Sequence, residues 1–157
     1  MANALEIICC RRMARVAGGA EMAGVSGAVS GVGAKRAGFV SRPGFDEFRQ
    51  VLKTLRTTLP AAKPVIVRTS WLGLDLLGHC VRRPRRFVIT LNRDLREAQA
   101  IETLLHEWAH ALAWNYALDS LATKPMLEPG EFERACHDEA WGCAYSRVWR
   151  AYLTDVQ

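Results

Sequence analysis

The sequence predicts one small α+β domain: an amphipathic helix, a short antiparallel or mixed sheet of about three strands, then two further helices. Three observations carry this. Apolar residues recur at helical spacing over 45–59 and again over 95–116. Short β-branched and aromatic runs lie between those two stretches. The 157 residues, half of them apolar, suffice for a single core without disulfide support.

The first helix is expected after Ser41-Arg42-Pro43. Phe45, Phe48, Val51, Leu52, Leu55 and Leu59 share one helical face, Asp46 and Glu47 suit the positive end of its dipole, and Pro60 stops it. Val65-Ile66-Val67 reads as a short buried strand, and 74–81 as a second. Arg82-Arg83-Pro84-Arg85 reads as a turn. A third strand follows over 87–91, with Phe87, Ile89 and Leu91 on one face. Asp94 and Glu97 stand three apart, the spacing of a capping box, and open a long helix over about 95–116. A loop over 125–130 precedes a last helix, which starts between Glu131 and Asp138 and ends near Leu153.

Residues 1–42 read differently. Over 14–40 the chain is mostly Ala, Gly, Val and Ser, which bury little and lose much backbone entropy on ordering. This stretch is expected to be a flexible leader, with the domain at 43–157. Charge follows the same division. The net charge is +5. Arg11, Arg12, Arg15, Lys35, Arg36 and Arg42 against Glu6 and Glu21 place +4 of it in the leader, which leaves the domain nearly neutral. The basic balance alone is therefore weak support for nucleic acid. No run of eighteen apolar residues lacks charge, so no spanning helix is expected. The start lacks a basic segment followed by an apolar block, so no secretory signal is expected. The five cysteines form no C-x-x-C pair and fit no disulfide framework; reduced thiols in a cytoplasmic setting are expected.

The chemistry lies in His106-Glu107-Trp108-Ala109-His110. Histidines four apart on a helix share one face, so both imidazoles can reach one Zn²⁺ at about 2.0–2.1 Å. Glu107 lies beside that face and can reach a water there. With this chain's composition the pattern arises by chance in roughly 0.6% of sequences. Its bland alternative is a buried helix with hydrogen-bonded histidines. A catalytic zinc takes a third protein ligand from elsewhere. His137 is the leading candidate, past a loop long enough to turn the chain back; Glu128, Glu133 and Glu139 are runners-up. His79, near a strand, reads as a core or surface residue, and Cys136 as too close to His137 to share its metal.

The segment Leu104-Leu105-His106-Glu107-Trp108-Ala109-His110-Ala111-Leu112, with His137-Asp138-Glu139-Ala140-Trp141-Gly142, resembles the SprT-like (Spartan-type) zinc metallopeptidases over about 45–152. The resemblance implies a minimal zincin-like fold, an active-site helix followed by a third-ligand helix, and Zn²⁺ as cofactor. It implies His106, His110 and His137 as zinc ligands and Glu107 as general base in peptide-bond hydrolysis. It makes Trp141 the aromatic residue that packs the third-ligand helix onto the active-site helix. Members often have Gly after the third His, where this chain has Asp138.

Further candidates follow from position. Tyr145 and Arg147 are candidate oxyanion stabilisers, with packing or surface roles as their alternative. Glu102 and Asp138 are candidate partners for the ligand imidazoles. The strand over 87–91 can offer its edge to an extended peptide substrate. Arg82, Arg83, Arg85 and Arg86 form a basic turn that suits nucleic acid, an acidic protein, or simply a solvated hairpin tip. Trp108, Trp114, Trp141 and Trp149 read as core or rim residues, and Cys136 and Cys143 as lining a helix interface. Two other functions fit the same residues: a metal-stabilised binding domain without turnover, or a nucleic-acid-associated accessory protein.

Overall fold

The computed structural model describes residues 8–12, 43–116 and 131–155. In chain order these form β1 (Ile8–Arg12), α1 (Asp46–Thr58), β2 (Val65–Ser70), β3 (Leu76–Arg83), β4 (Arg86–Asn92), α2 (Glu97–Leu112), α3 (Glu131–Cys136) and α4 (Glu139–Asp155). The class is α+β, as expected. Of the leader expected at 1–42, residues 1–7 and 13–42 lie outside the described residues, as does the loop at 125–130.

The sheet is mixed, in the order β1-β3-β4-β2. β3 and β4 form an antiparallel hairpin around Pro84 and Arg85, from Gly78 opposite Leu91 to Arg83 opposite Arg86. β2 lies parallel to β4, with Val65 opposite Phe87 and Ser70 opposite Asn92. Two expectations are corrected here. The strand over 87–91 is paired on both sides, so it has no free edge to offer a peptide. The sheet also has a fourth strand, drawn from the stretch read as leader: Ile8–Arg12 pairs antiparallel with β3, Cys9 opposite Cys80. Composition reports local tendency, whereas an edge strand is held by a ladder whose other half lies some seventy residues away.

Helix α2 sits at the centre. It packs on β3, β4 and β1 on one side, and on α1 and α4 on the others. Its buried residues run almost all round the helix, from Ala100 and Ile101 to Ala109, His110 and Ala111, as expected of a helix enclosed by other elements. The apolar face of α1 (Phe48, Val51, Leu52 and Leu55) is buried, at about 1.5–3 kcal/mol for each fully buried side chain. Two bonds fix α1 to α2: the Trp108 indole Nε1–H donates to Leu59 O at 3.0 Å, and the Phe48 backbone N–H donates to Glu97 Oε1 at 3.0 Å.

The second bond corrects the expected capping box. Glu97 satisfies an orphan amide of the first turn of α1, not one of its own helix. Helix α2 opens instead at Arg96, whose backbone N–H donates to Gln99 Oε1 at 3.3 Å. It also ends earlier than the periodicity suggests. Ala113 N–H closes on Ala109 O at 3.0 Å, and beyond it the Trp114 ring leaves the helix to pack on Phe87, with ring centroids 5.7 Å apart. The expected last helix is two helices, α3 and α4, separated at His137 and Asp138.

The approach of α2 to the sheet depends on Gly78. A Cβ there would stand 2.6 Å from Thr103 Cγ2, 3.1 Å from Leu91 Cδ2 and 3.2 Å from Thr90 O. Gly78→Ala is expected to lower the unfolding free energy by about 1–3 kcal/mol, measured by urea titration. Adding Thr103→Ser, which removes the clashing methyl but keeps the hydroxyl that bonds Gln99 O at 2.7 Å, should restore part of that loss.

Candidate metal centre

His106 and His110 lie one turn apart on α2, and His137 comes from the break between α3 and α4. The structure brings them together. His106 Nε2 lies 3.2 Å from His110 Nε2 and 3.2 Å from His137 Nε2. One ligand atom from each residue lies within 4.8 Å of the others. Two nitrogens bound tetrahedrally at about 2.0–2.1 Å stand roughly 3.3–3.4 Å apart, so the spacing fits a single cation. Hydrogen bonding alone fits less well. A neutral imidazole nitrogen carries either one lone pair or one N–H, yet His106 Nε2 faces two other ring nitrogens.

Burial is graded across the three: His110 is buried at 2% exposure, His106 is half-buried and His137 is exposed. The centre therefore opens toward solvent on the His137 side. Burial, then the neighbouring His106 and His137, push the pKa of His110 down to about 2. Its ring is neutral at ordinary pH, which is the state that binds a metal. Aromatic rings wall the centre. Trp141 lies 4.5 Å from His137, 5.0 Å from His106 and 5.5 Å from His110, centroid to centroid. Tyr145 stacks on Trp141 at 4.8 Å and stands 5.8 Å from His106.

Glu107 is wholly buried, at 0% exposure. Burial raises the Cys80 thiol well above its ordinary pKa, and the charge of the Glu107 carboxylate raises it further.

The other candidates separate. Glu139 is exposed, and neither it, Cys136 nor half-buried His79 joins the group of three. Glu128 and the side chain of Glu133 lie outside the described residues. Of the two oxyanion candidates, Tyr145 borders the centre, whereas Arg147 is exposed and lines a shallow depression with Leu59, Arg150 and Thr154. Glu102 is exposed. Asp138 holds no imidazole: Oδ1 accepts the Trp141 backbone N–H at 2.9 Å, capping α4, and Oδ2 accepts from Asn115 Nδ2 at 3.1 Å. Sequence reasoning passed over Asn115 entirely. An isolated Asn just past a helix gives no signal until its partners, twenty or more residues on, are known.

Of the tryptophans, Trp108 and Trp114 are buried in the core, and Trp141 and Trp149 pack half-buried against it. Cys136 is buried and Cys143 exposed, so of these two Cys136 alone can line an interior contact. The four arginines of the hairpin are unequal. Arg85 and Arg86 are exposed, Arg83 is half-buried, and half-buried Arg82 sets its guanidinium 5.3 Å over the Tyr116 ring. No described helix is long and apolar enough to cross a membrane.

No protein-family model matches the chain, and no curated protein or solved structure compared with it matches either. The site thus stands on its own geometry.

Neutral His110 sets a pH dependence for the metal-free protein. In the unfolded chain it takes a proton near pH 6.5, whereas in the folded protein it stays neutral down to about 2. Below 6.5 unfolding therefore binds an extra proton, and His110 lowers stability progressively as pH falls toward 2. Urea midpoints of chelator-stripped protein are expected to be lower at about pH 5 than at about pH 7.5, with a shallower dependence in His110→Gln.

Proposed function

We propose that the chain is a zinc-dependent metallopeptidase of SprT-like type, with a minimal zincin-like fold and protein or peptide as substrate. The observation that carries this reading is the convergence of His106, His110 and His137 nitrogens, with Glu107 next to the first of them in the chain. Three imidazoles from two elements form the usual protein share of a catalytic zinc site. Among the described residues no fourth His, Cys, Asp or Glu joins them, which favours turnover over a closed, purely structural site. Neutral nitrogen donors suit zinc better than the hard cations that select oxygen.

A zinc ion held by His106, His110 and His137 would supply Lewis acidity, lowering the pKa of a water toward about 7 and polarising a carbonyl. The chain's own residues do the remainder. Glu107 accepts the proton of the attacking water and returns it to the leaving nitrogen. Its placement away from bulk solvent keeps that proton from being lost. Trp141 and Tyr145 wall the imidazoles by ring contact, and the exposure of His137 marks the side on which substrate would approach. Nucleic acid enters none of these steps.

Glu107→Gln is the deciding variant. Peptide hydrolysis is expected to fall by roughly 10²–10⁴-fold, with bound zinc unchanged by metal analysis. Hydrolysis that persists in Glu107→Gln, or in protein stripped by a chelator, would remove the enzyme reading. A metal-stabilised binding domain would then account for the site.

A further inference from the structure

We propose that Asn115 is a positioning residue for the metal centre, holding the turn that carries His137 in register with His106 and His110. The inference rests on these three histidines binding a metal.

His137 is the exposed member of the three. Its ring is exposed, and its backbone lies in the two-residue gap between α3 and α4. His106 and His110 are held on one turn of a buried helix. A site of this kind needs its ligands held to within about 0.5 Å. Some contact must therefore fix the gap relative to α2.

Asn115 supplies it. The residue lies three positions past the end of α2 and is half-buried. Its Nδ2 donates to Ala135 O at 3.2 Å and to Asp138 Oδ2 at 3.1 Å. These acceptors bracket His137 in the chain. The two hydrogens of one carboxamide are both used, one on the last turn of α3 and one on the residue that caps α4. The second bond is strengthened by the carboxylate charge.

The geometry also gives Asp138 a use. A glycine after the third histidine would provide neither the cap of α4 nor the acceptor for Asn115. In this chain one carboxylate does both, so the third-ligand turn is tied to the C-terminal end of α2 and the N-terminal end of α4 together.

The test uses the whole chain, with Zn²⁺ and Co²⁺ alone as probes. Asn115→Ala removes both bonds. Asn115→Asp keeps the shape but removes the donors and sets a like charge against Asp138. Zinc affinity, from competition with a chromophoric chelator, is expected to weaken about 10–100-fold in Asn115→Ala and more in Asn115→Asp. The visible spectrum of the Co²⁺ form should change in band position or intensity, because the third imidazole is displaced. Far-UV circular dichroism and the urea midpoint of the metal-free variants should stay near wild type. Wild-type affinity together with an unaltered Co²⁺ spectrum in Asn115→Asp would overturn the proposal. So would unfolding of both metal-free variants, which would assign Asn115 to the fold rather than to the centre. A wild-type chain that binds neither ion would instead remove the centre itself. Loss of peptidase activity as a reading leaves this test intact, because no readout here depends on hydrolysis.

Discussion

Helix α2 is enclosed on one side by the sheet and on the others by α1 and α4, yet it carries two histidines and a glutamate through that enclosure. The structure is organised around making this tolerable. β3 presents a small residue where the helix comes close, with Gly78 under Thr103. Thr103 turns its hydroxyl back onto the Gln99 carbonyl, so that hydroxyl is satisfied within the helix and its methyl meets the sheet. His110 is kept neutral by the same burial that makes a charge costly there. The partner helix is pinned at both ends, through Glu97 at its start and Trp108 at its finish.

The centre combines two kinds of positioning. His106 and His110 need only helical geometry, since a single turn sets their spacing. The third imidazole needs a tertiary joint. It arises where the chain stops being helical at His137 and restarts with Asp138 as cap, and where the segment just past α2 reaches across through Asn115. Trp141, one turn into α4, then closes over all three rings. The burial gradient from His110 to His137 follows from this construction, because the first pair sits on the buried helix and the third on a surface turn.

Much of the local structure was legible. The apolar spacing of α1, the hairpin of β3 and β4, and the pairing of the histidines on one helix face all follow from short-range periodicity. The misread features share one cause. Glu97 stands where a capping box would use it, but a neighbouring helix offers its amide a better-placed partner. Trp114 and Asn115 continue the helical pattern of α2, yet their side chains are drawn off to Phe87 and to the turn at 135–138. The strand over 87–91 looks like an edge until β2 is found beside it in parallel. In each case contacts between residues far apart in the chain outweigh a local preference of a few tenths to about one kcal/mol.

By itself the sequence determined the α+β class, the helical face that joins His106 to His110 with Glu107 at its flank, and the candidacy of His137. All of these follow from residue type and from spacings shorter than a few turns. Tertiary structure alone decided that Ile8–Arg12 completes the sheet, that β4 is interior, and that His137, not Glu139 or Cys136, meets the other two imidazoles. Those outcomes depend on which surfaces remain to be covered once the local elements exist. That is a property of the packed chain, and no window of neighbouring residues contains it.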